Sequence, residues 1–264
     1  MSRRFYLDGR WGQVHGIEAG SGPALLLLHQ SPLAASMFEP ALPHLAAAGL
    51  RAIALDTPGF GGSDAPPAPA SIIEHAEALL PVLDALELES VHLLGHHTGA
   101  AIAAAFAARW PERLGQLILN GVPLLSTEER AHFATFRFDP LEPRADGSHL
   151  IAAWEQRLRS SPGWSDIRAM HKHVVTMLAN PERYFWGFEA AFAYDIAPDL
   201  ARISVPTMVL TNTGEDLYAA SVRAAALRPD WALAALEGGT HDIVDEQPEE
   251  WAQMVARFCS SGDA

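Results

Sequence analysis

Apolar residues along the chain follow two periods. Runs of consecutive aliphatic residues recur at 24–29 (ALLLLH), 51–56 (RAIALD), 90–95 (SVHLLG), 114–121 (LGQLILNG), 205–212 (VPTMVLTN) and 231–238 (WALAALEG). The first two suit strands buried on both faces of a parallel sheet, and the other four read as further strands. Helix-period segments separate them at 36–48, from 71 to about 88, from 97 to about 110, and at 248–258. Ser71-Ile-Ile-Glu74 has the Ser-x-x-Glu form of a capping box, and Gly49 and Pro111 stop the helices before them. Two short strands precede the series, joined at Asp8-Gly9, a pair that favours a hairpin turn. Strand and helix then alternate, which implies right-handed crossovers and an α/β fold with a mostly parallel, doubly wound sheet.

After Pro123 the alternation stops. Helical pattern runs to about residue 200 and carries many aromatics, from Phe133, Phe136 and Phe138 through Trp154, Trp186 and Phe192 to Tyr194. The strands then resume. The reading is one α/β core of residues 1–123 and 200–264, with a helical lid of residues 124–199 inserted after the sixth strand. Within the lid, His171 and His173 stand two apart on neighbouring sides of a helix, where a solvated surface is expected.

Charge and composition narrow the partners. The formal net charge is −14 and Lys172 is the only lysine, which argues against a nucleic-acid ligand. The longest aliphatic runs are far too short to span a bilayer, so no membrane partner is expected. Cys259 is the single cysteine, in keeping with a reducing compartment, and no apolar stretch follows Arg3 and Arg4. A cytoplasmic location is the expectation. Neither the loops nor the elbow show a dinucleotide or phosphate pattern, so no organic cofactor is expected.

Five stretches carry the chemistry: LLLHQSP, LDTPGFGGSD, LLGHHTGA, VLTNTGEDLY and EGGTHDIVDEQPEEW. In this order they resemble the α/β-hydrolase fold, and specifically its lid-bearing esterases, dehalogenases, C–C hydrolases and hydroxynitrile lyases. In LLGHHTGA the resemblance places a nucleophile elbow, Gly-x-X-x-Gly, on a strand-to-helix turn at positive φ. The seat usually held by serine holds His97, and histidine tolerates that backbone region better than most residues. The resemblance further implies His241 as general base, Asp216 as its acid partner, and the N–H groups of Thr98 and Ser31 as oxyanion donors. Asn120 stands at the fold's alternative acid position. Gln30 departs from the glycine usual beside Ser31, and its amide is placed to reach the pocket. His29, Gln30, His96, Trp154, Trp186 and Phe192 are the expected pocket residues.

Histidine in the serine seat is compatible with four chemistries. His97 can act as a nucleophile, or join His241 in activating water, either of which yields a hydrolase. It can transfer protons in a lyase that cleaves a C–C or cyanohydrin-type bond. With His241 and Asp216 it can ligate a metal. It can also occupy a ligand-binding site without turnover. The expectation is a hydrolase acting on a small hydrophobic ester, lactone or related carbonyl compound, bound in an apolar, ring-lined cavity.

Overall fold

The computed structural model of the chain describes residues 2–133, 135 and 141–260. Phe136 and Phe138 lie outside the described residues. The eight strands are β1 (Arg3–Gly9), β2 (Gly12–Ala19), β3 (Ala24–Leu28), β4 (Arg51–Leu55), β5 (Val91–His96), β6 (Leu114–Asn120), β7 (Thr207–Asn212) and β8 (Ala232–Leu236). They form one sheet in the order β1-β2-β4-β3-β5-β6-β7-β8. The β1–β2 and β2–β4 pairs are antiparallel and the remaining pairs parallel.

Strand β3 shows why its apolar run has no polar alternation. Leu26 and Leu28 enter the core on one face of the sheet, while Leu25 and Leu27 enter the core on the other. Each of these leucines is at most 2% exposed, and burying each contributes roughly 1.5–3 kcal/mol. Helices cover both faces, and β5 lies at the centre. Its C-terminal end, where residues 96–99 turn into a helix, is therefore held by packing on every side.

Three local expectations shift for identifiable reasons. The hairpin closes at Arg10-Trp11, because Gly9 still pairs with Gly12 across the strands. The segment 36–48 divides into a 3₁₀ turn at Ala35–Phe38 and a helix at Leu42–Ala47, with Pro40 between them and Pro43 in the second helix's first turn. The segment from Ser71 divides into helices Ile72–Glu77 and Leu79–Ala85, since Pro81 has no N–H to donate to the carbonyl of Glu77. The capping box forms as read, with the Ser71 side chain accepting from the Glu74 N–H and the Glu74 carboxylate accepting from the Ser71 N–H.

Between β6 and β7 the chain forms helices at Thr127–Phe133, Ser148–Ser160, Ile167–Leu178, Trp186–Ala193 and Ala197–Leu200, with a 3₁₀ turn at Pro181–Arg183. This insertion lies beside the C-terminal ends of the central strands. Among the described residues no helix is long and apolar enough to cross a membrane.

Candidate active site

The turn from β5 into helix Thr98–Ala107 places His97 at φ 50°, ψ −106°. A non-glycine residue in such a conformation costs about 1–3 kcal/mol and persists because its surroundings enforce it. The His97 N–H donates to the Asn120 carbonyl at 2.8 Å, and the His97 carbonyl accepts from Ala100 and Ala101. The flanking glycines permit the close packing this needs. A Cβ on Gly99 would stand 2.2 Å from the Leu28 carbonyl oxygen, and one on Gly95 would stand 2.0 Å from that of Gly99. Thr98 begins the helix, so its N–H is free of an intrahelical acceptor and faces an anion favourably. Thr98 and Ser31 both border the cavity beside His97.

The carboxylate behind His97 belongs to Glu215. Nε2 of His97 lies 2.6 Å from Oε2 of Glu215, whose side chain is fully buried. The other Glu215 oxygen accepts from the Thr211 hydroxyl. Both Glu215 oxygens are thus engaged, and a carboxylate accepting at Oε2 fixes the tautomer of His97 with the proton on Nε2. Nδ1 of His97 has no hydrogen-bond partner among the described residues. Gly121 makes room for the pair: a Cβ there would lie 2.2 Å from His97 Cδ2 and 2.8 Å from Glu215 Oε2.

His241 faces different neighbours. Its Nε2 accepts from Arg157 Nη1 at 2.9 Å, and its ring centroid is 6.2 Å from that of His97. Arg157 projects from the inserted helix Ser148–Ser160, is 5% exposed, and also contacts His173 Nδ1 at 2.8 Å and the Asp242 carboxylate. Asp242 is held further by Ser161 Oγ at 2.7 Å. Burial pulls the His241 pKa down to about 4; Arg157 and His97 push the same way against Asp242 and Asp216. Burial alone would raise the Asp242 pKa, but His241, Arg157, His173 and the Ser161 hydroxyl together hold it below its ordinary value. Near neutral pH, His241 is therefore a neutral ring whose Nε2 lone pair is already occupied.

Asp216 borders the cavity, but among the described residues no hydrogen bond joins it to His241. The sequence pattern points to the second of two consecutive acids, and the structure turns the first of them, Glu215, toward His97. His173 is buried rather than solvated, bonded to Arg157 and placed 2.9 Å from Asp245. The expected metal set of His97, His241 and Asp216 does not converge. Among the described residues the group whose ligand atoms lie within 4.8 Å of one another is His96, His97 and Glu215.

The cavity has a volume of about 230 Å³ and is mainly apolar, with Leu33, Leu125, Met177, Phe188, Phe192 and Leu217 among its walls. Phe192 stacks on Phe133 at 5.2 Å. Gln30 also lines it, with Nε2 donating to the His241 carbonyl at 3.1 Å. Four expected pocket residues lie elsewhere. His29 is buried beneath the loop, its Nε2 accepting from the Thr57 N–H at 2.9 Å and its Nδ1 bonded to the Gln30 carbonyl. Burial lowers its pKa. His96 is fully buried behind His97, and burial holds its pKa well below the ordinary value. Trp154 packs against Trp164, Ala169 and Met170 in the insertion's own core, and Trp186 stands against Gly59.

Glu215, Arg157 and Asp242 are the site residues that sequence reasoning missed. Arg157 had a signal: it falls four residues after Ala153, on the buried stripe of its helix. Asp242 directly follows His241, yet nothing in the sequence indicates that it would be buried against an arginine 85 positions away.

Comparison with known proteins bears on the same features. The family model described as alpha/beta hydrolase fold matches residues 23–172, more than half of the chain. Epoxide hydrolase 2 of Siraitia grosvenorii is 40% identical over 114 residues, covering 42% of this chain and 36% of that protein. The match therefore spans little more than a third of that relative's length. The 2-hydroxy-6-oxo-6-phenylhexa-2,4-dienoate hydrolase of Comamonas testosteroni is 29% identical over 217 residues, covering 74% of this chain and 72% of the relative. The enol-lactonase structure from Burkholderia xenovorans LB400 superimposes with a TM-score of 0.82 at 21% identity, over 97% of this chain and 100% of that one. With its sheet order, its elbow and the helical insertion between β6 and β7, the chain belongs to the alpha/beta hydrolase fold family.

Proposed function

We propose that the protein is a hydrolase of small hydrophobic esters, lactones or related carbonyl compounds, in which His97 is the general base for water. The observation that carries this reading is the 2.6 Å contact between His97 Nε2 and the buried Glu215 carboxylate at the floor of an apolar cavity. Glu215 stabilises the imidazolium that forms when Nδ1 takes a proton from water. The N–H groups of Thr98 and Ser31 then receive the carbonyl oxygen as it becomes negative. Residues 124–199 act as a lid, bringing Phe188, Phe192 and Arg157 to the cavity.

Water activation suits this site better than attack by His97 itself. Nε2, the less hindered ring nitrogen, is committed to Glu215, and an acyl group on Nδ1 would crowd the residue's own Cβ. The names of the relatives, a dienoate hydrolase, an enol-lactonase and an epoxide hydrolase, support hydrolysis of compact organic substrates.

A panel of chromogenic short-chain esters and small lactones tests the proposal. His97→Ala should reduce kcat on the best substrate by on the order of 10²–10⁴-fold. Mass spectrometry of the wild type quenched during turnover should find no acylated His97. An adduct on that residue would replace water activation by covalent catalysis, and undiminished turnover in His97→Ala would remove His97 from the chemistry.

A further inference from the structure

The hydrolytic scheme leaves one side chain beside His97 unused. His96 is the last residue of β5, is 0% exposed, and among the described residues neither of its ring nitrogens has a hydrogen-bond partner. A buried polar atom without a partner costs about 1–3 kcal/mol, a cost that an ion bound to the ring would remove. Consecutive strand residues point to opposite faces, yet the His96 and His97 rings lie with centroids 4.6 Å apart. The positive φ of His97 swings its ring back toward its neighbour. One nitrogen from each ring and one Glu215 oxygen lie within 4.8 Å of one another. The Thr211 hydroxyl on the other carboxylate oxygen steadies Glu215, as outer partners do for metal ligands.

We propose that His96, His97 and Glu215 form a binding site for a divalent ion of the zinc type. Two imidazoles and one carboxylate match the preferences of zinc and its first-row neighbours, whereas calcium and magnesium favour oxygen sets. Zn–N and Zn–O distances of about 2.0–2.1 Å require ligand atoms roughly 3.3 Å apart. The 2.6 Å contact between His97 and Glu215 then opens by less than 1 Å.

The ion has a chemical consequence, which rests on the function proposed above. Bound to Nε2 of His97, it takes the lone pair exposed when the Nε2 proton leaves. That proton is carried by Nδ1 in the metal-bound tautomer, so the neutral ring changes form without net proton release. Nδ1 then faces the substrate as a donor and no longer as a base. The ion is thus an inhibitor of the hydrolase, displacing the dyad's hydrogen bond.

The test uses full-length protein stripped with a chelator and titrated with Zn²⁺ by calorimetry and with Co²⁺ by visible absorption. One ion per chain should bind, with cobalt bands typical of low coordination number, and ¹⁵N NMR should show the His97 proton on Nδ1. His96→Phe and Glu215→Gln should each weaken binding by about tenfold or more. The second variant covers the case in which the first does not fold. Ester hydrolysis should fall as zinc binds and return with chelator. Absence of binding, or wild-type affinity in a folded variant, overturns the site. Saturating zinc with undiminished hydrolysis, or with the His97 proton still on Nε2, overturns the inhibition. Hydrolysis in chelator without any zinc binding leaves the proposed function standing and defeats only the metal site. Zinc binding by a protein that hydrolyses no ester does the reverse.

Discussion

Two imidazoles border one cavity, and their neighbours give them opposite characters. His97, on the floor made by the ends of β5, β6 and β7, has the Glu215 carboxylate behind it. His241, on the side covered by the inserted helices, has the Arg157 guanidinium donating to its lone pair. A carboxylate supports the cationic ring that forms when a base accepts a proton, whereas a guanidinium opposes it. In this fold the base is expected at His241, and here the base-like environment belongs to the residue in the nucleophile's seat. What a histidine does follows from its hydrogen-bond partner rather than from its place in a motif.

Removing Arg157 should blur that distinction with the largest effect on stability. Arg157→Met leaves Asp242 buried without its guanidinium partner, a change that costs about 3–5 kcal/mol. Chemical denaturation would register the loss, and the His241 pKa measured by NMR should rise above about 4. A variant as stable as the wild type would show that the network between the insertion and His241 is not structural.

Acid should act on the same contrast. In the unfolded chain a histidine titrates near its ordinary 6.5, whereas folded His241 and His75 are held at about 4, chiefly by burial. Between these values the unfolded state binds more protons, so stability rises with pH and is lost as pH falls from 7 toward 4. The loss at pH 5 is on the order of 2 kcal/mol per histidine. Asp242, whose pKa is lowered, contributes stability that is lost only at still lower pH. Unfolding free energies that stay flat from pH 7 to 5 would contradict the buried, neutral state of these rings.

A smaller effect is expected at Gln30. Gln30→Gly restores the residue usual in the fold and removes the amide's bonds to the His241 carbonyl and Asp242. About 1 kcal/mol of stability should be lost. His97-dependent turnover should stay within about tenfold of the wild type, because the bonds broken run to His241 and Asp242 and not to His97 or Glu215.

The central strands were legible from the sequence because they are buried on both faces, and such runs leave a signal that needs no tertiary information, whereas β8 at the sheet edge is largely exposed despite an equally apolar run. The elbow was legible from its glycine spacing: Gly95 is demanded by the backbone of Gly99 four residues on, and Gly99 by the Leu28 carbonyl on the neighbouring strand. The partners of the two histidines were not. Glu215 and Asp216 are neighbours of equal charge, and only the geometry of the turn after β7 decides which one meets His97. Gly121 held a usable clue, because its missing side chain is the space that the His97–Glu215 pair occupies. Arg157 reaches His241 from an inserted helix 84 positions away, a contact that local periodicity marks as buried but cannot aim.

The central claim is that Glu215, rather than Asp216, is the carboxylate serving catalysis. The direct measurement is kcat for Glu215→Gln and Asp216→Asn on the same ester, with both proteins shown to be folded. Glu215→Gln should lose on the order of 100-fold or more, while Asp216→Asn stays within about tenfold of the wild type. A large loss in Asp216→Asn with Glu215→Gln nearly unaffected would contradict the account and return the acid's role to Asp216.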